Sequence, residues 1–204
     1  MDGILSLCLG YLIGNVNSAA ILGKWKHVDL KQEGTKNLGA TNTMVVLGWK
    51  AGALVMVVDI LKSFLAGKLA QFLFPQLRIA GMLACIGTML GHCFPVLLHF
   101  KGGKGLAAFG GLVIYYRLLF VPIILFWALL LMFLLDCGVA FPIFVSVIFP
   151  VLVFAFHGTA AEVITASAAG LLLAVLHIGN VKKAIAHDES MHVRKAFKNL
   201  LSGK

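Results

Sequence analysis

The chain has 204 residues, of which 60% are hydrophobic and 12% charged, and 17 Lys and Arg against 8 Asp and Glu give a formal net charge of +9. Soluble domains are roughly 45–50% apolar and about 25% charged, so this composition argues against a soluble globular protein and against disorder. The basic residues lie between apolar runs, which favours membrane-protein loops and anionic substrates over nucleic acid. The length suits a single membrane domain over 1–204 that ends in a basic cytoplasmic tail at 182–204.

Apolar segments follow one another along the chain, and a helix of about 20 apolar residues can span a bilayer. They cover residues 4–23, 51–74, 79–100, 106–116, 118–135, 139–156 and 161–178. The fourth segment is short for a full crossing, which predicts a half-helix or a broken helix beside a cavity. The sequence therefore predicts an all-α, polytopic integral membrane protein with about seven transmembrane helices.

The charges that flank these segments predict their orientation. No Lys or Arg precedes the first segment, whereas Lys24 and Lys26 follow it. Most of the other basic connections fall on that same side, and only Arg78 and Arg117 fall in connections on the opposite side. Because basic loops mark the cytoplasmic side, we predict that the N-terminus is outside and that the C-terminus is cytoplasmic.

Two polar clusters lie near the predicted cytoplasmic end of the first segment. Residues 14–18 place Asn15, Asn17 and Ser18 within an apolar helix, where they either join helices or line a polar pocket. Residues 34–42 mix glycines, hydroxyls and amides. Glycines let backbone N–H groups turn toward one point, and Thr and Asn add donors, so the second cluster predicts an anion site or a helix cap.

Two further clusters lie on later segments. Asp59 and Lys62 are spaced i, i+3, so they share one helix face and can pair. Ionisable groups in a membrane helix are costly, and they indicate either a functional site or a self-neutralising pair. His92 precedes a Phe-Lys-Gly-Gly-Lys-Gly loop at 100–105, whose backbone N–H and ammonium groups can wrap a phosphate. This loop is not a Walker A motif, because Leu106 follows its last glycine.

A fifth, smaller cluster ends the last apolar segment, where His177 and Asn180 are again spaced i, i+3. The chain lacks the Gly-x-Ser-x-Gly nucleophile elbow. Its acidic residues are too few and too scattered for a two-metal site. Covalent catalysis therefore has no evident nucleophile.

Together these clusters resemble the bacterial membrane glycerol-3-phosphate acyltransferases that use acyl phosphate, the PlsY family, over nearly the whole chain. The matching motifs are Gly91-His92-x-Phe94-Pro95, the loop at 100–105, Asn37-x-Gly39-Ala40-Thr41-Asn42, Asp59-x-x-Lys62 and His177-x-x-Asn180. The resemblance implies transfer of an acyl chain from acyl phosphate to the sn-1 hydroxyl of glycerol 3-phosphate. The products are lysophosphatidic acid and phosphate, in the first step of phospholipid synthesis.

The resemblance also implies a multi-pass protein of the bacterial cytoplasmic (inner) membrane whose site faces the cytoplasm. No metal, coenzyme A or other cofactor is implied, and we predict a monomer that does not bind nucleic acid. The acceptor proton passes to a substrate phosphate in this interpretation, with His92 as an alternative general base.

Individual roles follow from the same resemblance. The predicted catalytic residues are Asn37, Lys104, His177 and Asn180, of which the last three hold the glycerol phosphate. The acyl-phosphate head is assigned to Thr35, Lys36, Asn37, Gly39, Thr41, Asn42, Gly102 and Gly103. Support of the pocket is assigned to Ser18, Asp59, Lys62, His92 and Lys101.

Some positions depart from the family pattern and leave alternatives open. The family has Arg at the position of Val45 and Gly at Ser63, and it has Arg where this chain has Ile178 and Lys183. Loss of an Arg removes a bidentate phosphate contact that Lys replaces only in part. The alternatives are a divergent paralogue with a different acceptor, or a membrane transporter or binder of a phosphorylated metabolite.

Overall fold

The computed structural model describes residues 1–186 and residue 193, and all the regular secondary structure in this part of the chain is helical. The all-α prediction is thus confirmed there, while most of the predicted tail at 182–204 lies outside the described residues. The chain divides into two compact units, 1–118 and 119–204. The prediction of a single domain over 1–204 stays a prediction.

The first unit contains α1 (Asp2–Gly14), α2 (Ser18–Trp25), α3 (Ala40–Leu47), α4 (Trp49–Leu73), α5 (Ala80–Cys93), a 3₁₀ turn (Val96–Leu98) and α6 (Leu106–Tyr116). The second unit contains α7 (Phe120–Leu134), α8 (Ala140–Ala155), α9 (Ala160–Leu176) and α10 (Ile178–Ile185). Each predicted apolar segment is occupied by helix. The short fourth segment is α6, with the predicted bounds.

Two stretches of the described chain are long and apolar enough to cross a membrane on their own, Asp2–Trp25 and Ala80–Leu98. The pair of α9 and α10 adds a third if its 50° bend lies within one span. The helices α6, α7 and α8 are apolar but shorter, and α4 is 25 residues long but carries four charged side chains. Seven crossings and the orientation of the termini stay predictions.

The helices α1 and α5 pack backbone to backbone through glycines on both. These are Gly10 and Gly14 of α1 and Gly87 and Gly91 of α5, each pair spaced i, i+4 on one helix face. A Cβ on Gly10 would overlap the carbonyl oxygen of Ala84, and a Cβ on Gly87 would overlap that of Leu7. The close approach brings the C-terminal end of α5 beside the C-terminal end of α1.

The first predicted helix is not continuous. The sequence predicts one helix over 4–23, but the chain breaks between α1 and α2. Asn17 caps α2 by accepting a hydrogen bond from the backbone N–H of Ala20 at 2.8 Å. Asn15 accepts from the backbone N–H of Val96 at 2.7 Å. Asparagine favours helix caps over helix interiors because its amide bonds to nearby backbone groups, which is why the polar cluster interrupts the helix.

The packing of α4 against α6 offers a matched pair of substitutions. A Cβ on Gly111 would overlap the carbonyl oxygen of Ile60, whereas a Cβ on Gly110 would lie 3.7 Å from the Ile60 side chain. We expect Gly111→Ala to lower the free energy of unfolding by about 1–3 kcal/mol, as overpacking does. Gly110→Ala should preserve or raise stability, because alanine favours a helix by about 1 kcal/mol over glycine. Thermal unfolding in detergent checks both, and an equal loss in the two variants would contradict this packing account.

Candidate functional site

A buried polar cluster lies where the break between α1 and α2 meets α4 and α5. The Lys62 ammonium group is within hydrogen-bond distance of three polar atoms. These are Asp59 Oδ1 at 2.7 Å, the Val16 carbonyl oxygen at 2.9 Å and His92 Nδ1 at 3.0 Å. The Ser18 hydroxyl donates to Asp59 Oδ1 at 3.0 Å. The predicted pairing of Asp59 with Lys62 is therefore confirmed, and the break in the first helix supplies a backbone acceptor.

This cluster is almost completely removed from solvent. The exposed fractions of Asp59, His92 and Lys62 are 1%, 3% and 9%. A buried charge is tolerated only when it is paired and hydrogen-bonded, and Lys62 is paired with Asp59 and donates to the Val16 carbonyl. Asp59 Oδ2 has no hydrogen-bond partner among the described residues, so the carboxylate acts through Oδ1. These bonds hold α2, α4 and α5 in a defined arrangement.

The glycine-lysine loop, residues 100–105, is attached to the C-terminal end of α5. The Gly102 N–H donates to the Cys93 carbonyl at 3.0 Å, and the Gly103 N–H donates to the His92 carbonyl at 3.1 Å. These bonds satisfy carbonyl groups that have no partner within the helix. A Cβ on Gly102 would overlap the His92 carbonyl oxygen, and a Cβ on Gly103 would overlap His92 Nε2. The two glycines are therefore required by the close approach of the loop to α5.

The lysines of this loop flank the two glycines. Lys101 is exposed and Lys104 is half-buried. Gly105 then adopts φ 78°, in the left-handed region that favours glycine, and α6 begins at the next residue. Residues 101–104 have no regular secondary structure, so the predicted loop between two helices is confirmed.

The Asn42 loop, residues 34–42, is organised by the side chain after which we name it. Asn42 Oδ1 accepts from the Thr35 N–H at 2.6 Å and from the Thr35 hydroxyl at 3.1 Å. Asn42 Nδ2 donates to the carbonyls of Leu30 at 2.8 Å and Glu33 at 3.2 Å. A carboxamide has two donors and two acceptor positions, and here all are used inside the protein. Asn42 thus fixes the shape of the loop.

The other predicted residues of the Asn42 loop lie around the start of α3. Gly39 is buried and precedes the helix, while Asn37 is half-buried. Exposed side chains of the loop are Thr35, Lys36 and Thr41. Backbone N–H groups of a first helical turn lack helical partners and carry partial positive charge. This end of α3 therefore presents a polar, electropositive surface.

The two loops touch each other at Leu38 and Gly103. A Cβ on Gly103 would lie 2.7 Å from the Leu38 carbonyl oxygen. The same carbonyl accepts from Asn17 Nδ2 at 3.3 Å. An open cavity of about 590 Å³ adjoins this contact, lined by Leu38 and by Lys24 and Lys31 among others, but by none of the predicted site residues.

The fifth cluster lies in the second unit, where α9 ends and α10 begins. His177 is 4% exposed, and its Nδ1 lies 2.9 Å from the Leu173 carbonyl oxygen. Because a carbonyl only accepts, His177 Nδ1 is the donor in this bond. The backbone N–H of Asn180 donates to the His177 carbonyl at 2.9 Å. The predicted i, i+3 pair therefore lies on one turn.

The structure thus brings together the first four predicted clusters in one unit, and it places His177 with Asn180 in the other. Sequence reasoning missed the Val16 carbonyl, the Lys62–His92 contact and the Leu38–Gly103 contact. Backbone carbonyls have no signature in the sequence, since every residue has one. The Lys62–His92 contact had an indirect signal, because both are polar residues in apolar segments.

The family described as glycerol-3-phosphate acyltransferase matches residues 4–187. The glycerol-3-phosphate acyltransferase of Desulfotalea psychrophila is 33% identical over 205 residues, covering 96% of this chain and 100% of that protein. The glycerol-3-phosphate acyltransferase of Bacillus velezensis is 43% identical over 122 residues, or 59% of this chain, and the match spans 62% of that relative's length.

The chain is also similar to a solved structure, that of PlsY, an integral membrane glycerol 3-phosphate acyltransferase, in its glycerol 3-phosphate form. The TM-score is 0.79 with 27% sequence identity, over 92% of this chain and 94% of that chain.

Proposed function

Because this chain belongs to the glycerol-3-phosphate acyltransferase family, we propose that it transfers an acyl chain from acyl phosphate to the sn-1 hydroxyl of glycerol 3-phosphate. The hydroxyl oxygen attacks the acyl carbonyl carbon, and the bond from that carbon to the phosphate oxygen breaks. The hydroxyl proton passes to the departing phosphate. The products are lysophosphatidic acid and inorganic phosphate, and the reaction uses no metal or other cofactor.

The contact between the Asn42 loop and the glycine-lysine loop is the observation that carries this proposal. Both substrates carry a phosphate, so the reaction needs two anion-binding regions side by side. Leu38 of one loop adjoins Gly103 of the other, and the buried cluster around Lys62 lies against the same glycine through His92. Two loops with polar and basic groups therefore contact each other, and the hydrogen-bonded cluster around Lys62 packs against this contact.

In this proposal the Asn42 loop takes the acyl phosphate. The polar start of α3 with Asn37 and Thr41 faces the phosphate, since helix N-termini favour anions. Lys36 adds donors from the exposed side of the loop. Thr35, which donates its N–H and its hydroxyl to Asn42, keeps the shape of the loop together with Asn42 and Gly39. Gly102 and Gly103 position the glycine-lysine loop and do not bind the phosphate through their N–H groups, because these groups donate to carbonyls at the end of α5.

The acceptor phosphate is assigned to Lys104, and the exposed Lys101 adds positive charge in the same loop. The roles of His177 and Asn180, which lie in the second unit, stay predictions from the resemblance. An acyl phosphate is a mixed anhydride and is already activated. Orientation of the two substrates and neutralisation of their phosphates can therefore supply most of the rate. No protein nucleophile is needed.

The acyl chain requires an apolar environment, which the exposed apolar side chains of the helices provide within a bilayer. Trp25 and Trp49 are exposed, and Lys26 and Lys50 lie over their rings at 4.7 and 5.8 Å from the centroids. Tryptophan and lysine together are typical of a membrane interface. We propose a monomer in the bacterial cytoplasmic membrane with these residues, and the site, at the cytoplasmic side.

The test uses purified protein in detergent with palmitoyl phosphate as donor and glycerol 3-phosphate as acceptor. We expect phosphate release that depends on the acceptor. Lys104→Ala should lower kcat/KM by about 10²-fold or more, as loss of one charge-stabilising donor does. The matched control is Lys68→Ala, an exposed lysine on α4 that lies over the rings of Phe64 and Tyr115. Release without an acceptor, or equal rates in the two variants, would refute the proposal.

A different acceptor is the second candidate, favoured by the surface of α3. Val45 on this helix is 66% exposed, where the resemblance expects an Arg. An apolar side chain there contributes no phosphate contact. A folded protein that releases phosphate with another hydroxyl acceptor, but not with glycerol 3-phosphate, would establish this alternative.

A further inference from the structure

We propose that Lys62 is a positioning residue that holds His92 as the neutral tautomer with its proton on Nε2. In this state His92 presents a hydrogen-bond donor at the contact between the two loops and does not act as a general base. The tautomer follows from hydrogen bonds alone, whereas its consequence for acyl transfer rests on the function proposed above.

The first step is the count of donors on Lys62. An ammonium group has three N–H donors and no acceptor. Its neighbours are Asp59 Oδ1, the Val16 carbonyl and His92 Nδ1, at 2.7, 2.9 and 3.0 Å. Each N–H therefore has one acceptor, and the third must be His92 Nδ1. A proton on Nδ1 would instead place two donors 3.0 Å apart in a buried site, at the cost of a lost hydrogen bond.

The second step excludes Asp59 as the partner of His92. The distance from His92 Nδ1 to Asp59 Oδ1 is 3.6 Å, too long for a hydrogen bond. That oxygen already accepts from Lys62 and from Ser18. The carboxylate therefore pairs with the ammonium group, and Nδ1 is left to accept from Lys62. A neutral imidazole with an accepting Nδ1 carries its proton on Nε2.

The third step concerns where Nε2 lies. A Cβ built on Gly103 would overlap His92 Nε2 and lie 2.7 Å from the Leu38 carbonyl. The Nε2–H group is thus at the contact between the Asn42 loop and the glycine-lysine loop, one residue from Lys104. A protonated Nε2 cannot take up the acceptor's proton, and Nδ1 is occupied by Lys62. His92 is therefore not the group that takes up the hydroxyl proton, which agrees with its transfer to the departing phosphate in the proposed reaction.

Nitrogen NMR of the full-length protein labelled with ¹⁵N-histidine tests the tautomer directly. The His92 signals are those missing from the spectrum of His92→Gln. We expect Nδ1 to resonate as a nitrogen without a proton and Nε2 as a protonated one. A proton on Nδ1, or on both nitrogens at neutral pH, would overturn the proposal. This readout does not depend on activity, so its failure is distinct from failure of the proposed function.

Two amide variants test the donor role. The glutamine amide of His92→Gln reaches the position of Nε2, whereas the asparagine amide of His92→Asn reaches only that of Nδ1. Neither amide takes up a proton at neutral pH. If His92 were a general base, both variants would therefore lose it, and the rate of acyl transfer would fall equally in both, by about 10²–10⁴-fold. A donor role predicts that His92→Gln retains about tenfold more activity than His92→Asn, the value of one hydrogen bond. Equal losses in two folded variants would overturn it.

Discussion

Replacement of Lys62 by methionine is expected to lower the free energy of unfolding by about 3–5 kcal/mol, because it leaves a buried carboxylate without its ammonium partner. Asp59 is 1% exposed, and within the described part of the chain its other hydrogen bond comes from the Ser18 hydroxyl. The same change also removes the donors to Val16 and His92. For a chain of this length, we expect the melting temperature in detergent to fall by about 6–20 °C.

A matched substitution and a double variant control this prediction. Lys68→Met removes an exposed lysine from the same helix and should change stability little, since a solvated charge has no burial cost. Adding Asp59→Asn to Lys62→Met removes the unpaired charge and should recover part of the loss. Strictly additive effects of the two changes, or equal melting temperatures for Lys62→Met and Lys68→Met, would mean that the pair does not stabilise the fold.

Gly103→Ala is expected to lower kcat/KM by about 10²-fold, because displacement of a binding group by about 1 Å can cost that much. The added Cβ would overlap His92 Nε2 and approach the Leu38 carbonyl to 2.7 Å. Neither the His92 ring nor the Leu38 carbonyl can move away easily, because each is held by a hydrogen bond. His92 is held by Lys62, and Leu38 is held by Asn17. The glycine-lysine loop must therefore move, and it takes Lys104 with it.

The melting temperature separates this effect from a general loss of the fold. The substitution lies in a loop, so we expect a much smaller change in melting temperature than for Lys62→Met. Gly110→Ala provides the control for adding a methyl group, because its Cβ meets the Ile60 side chain at an ordinary distance. Full activity in Gly103→Ala would show that the close contact with His92 does not position the loop.

The positions of the long apolar helices could be predicted from hydropathy because burial of apolar side chains dominates their formation, whereas α3 lies outside every predicted apolar segment. The segment 106–116 became α6 with its predicted ends, since Gly105 begins it with a left-handed turn and Arg117 follows its last residue. The first segment shows the limit of this reasoning. Its apolar content predicted one helix, but Asn15 and Asn17 form hydrogen bonds to backbone groups at a break, and hydropathy does not record such bonds.

The polar and charged groups of the candidate site could also be predicted from the sequence. Asp59 and Lys62 pair as their spacing predicted, because i, i+3 neighbours always share a helix face. The two glycine-rich loops lie between helices, because glycines and polar residues interrupted the apolar pattern there. Residue types at fixed local spacing therefore determined which groups are available for binding phosphate.

Only the tertiary structure decided how those groups are used. Asn42, which the motif assigned to phosphate, uses its hydrogen bonds on Thr35 of its own loop and on the Leu30 and Glu33 carbonyls that precede the loop. Lys62 finds its third acceptor on His92, thirty residues away, and Gly103 is required by the position of that same ring. The physical reason is that hydrogen bonds and steric overlap depend on where atoms meet in space, whereas the sequence pattern records only local spacing and polarity.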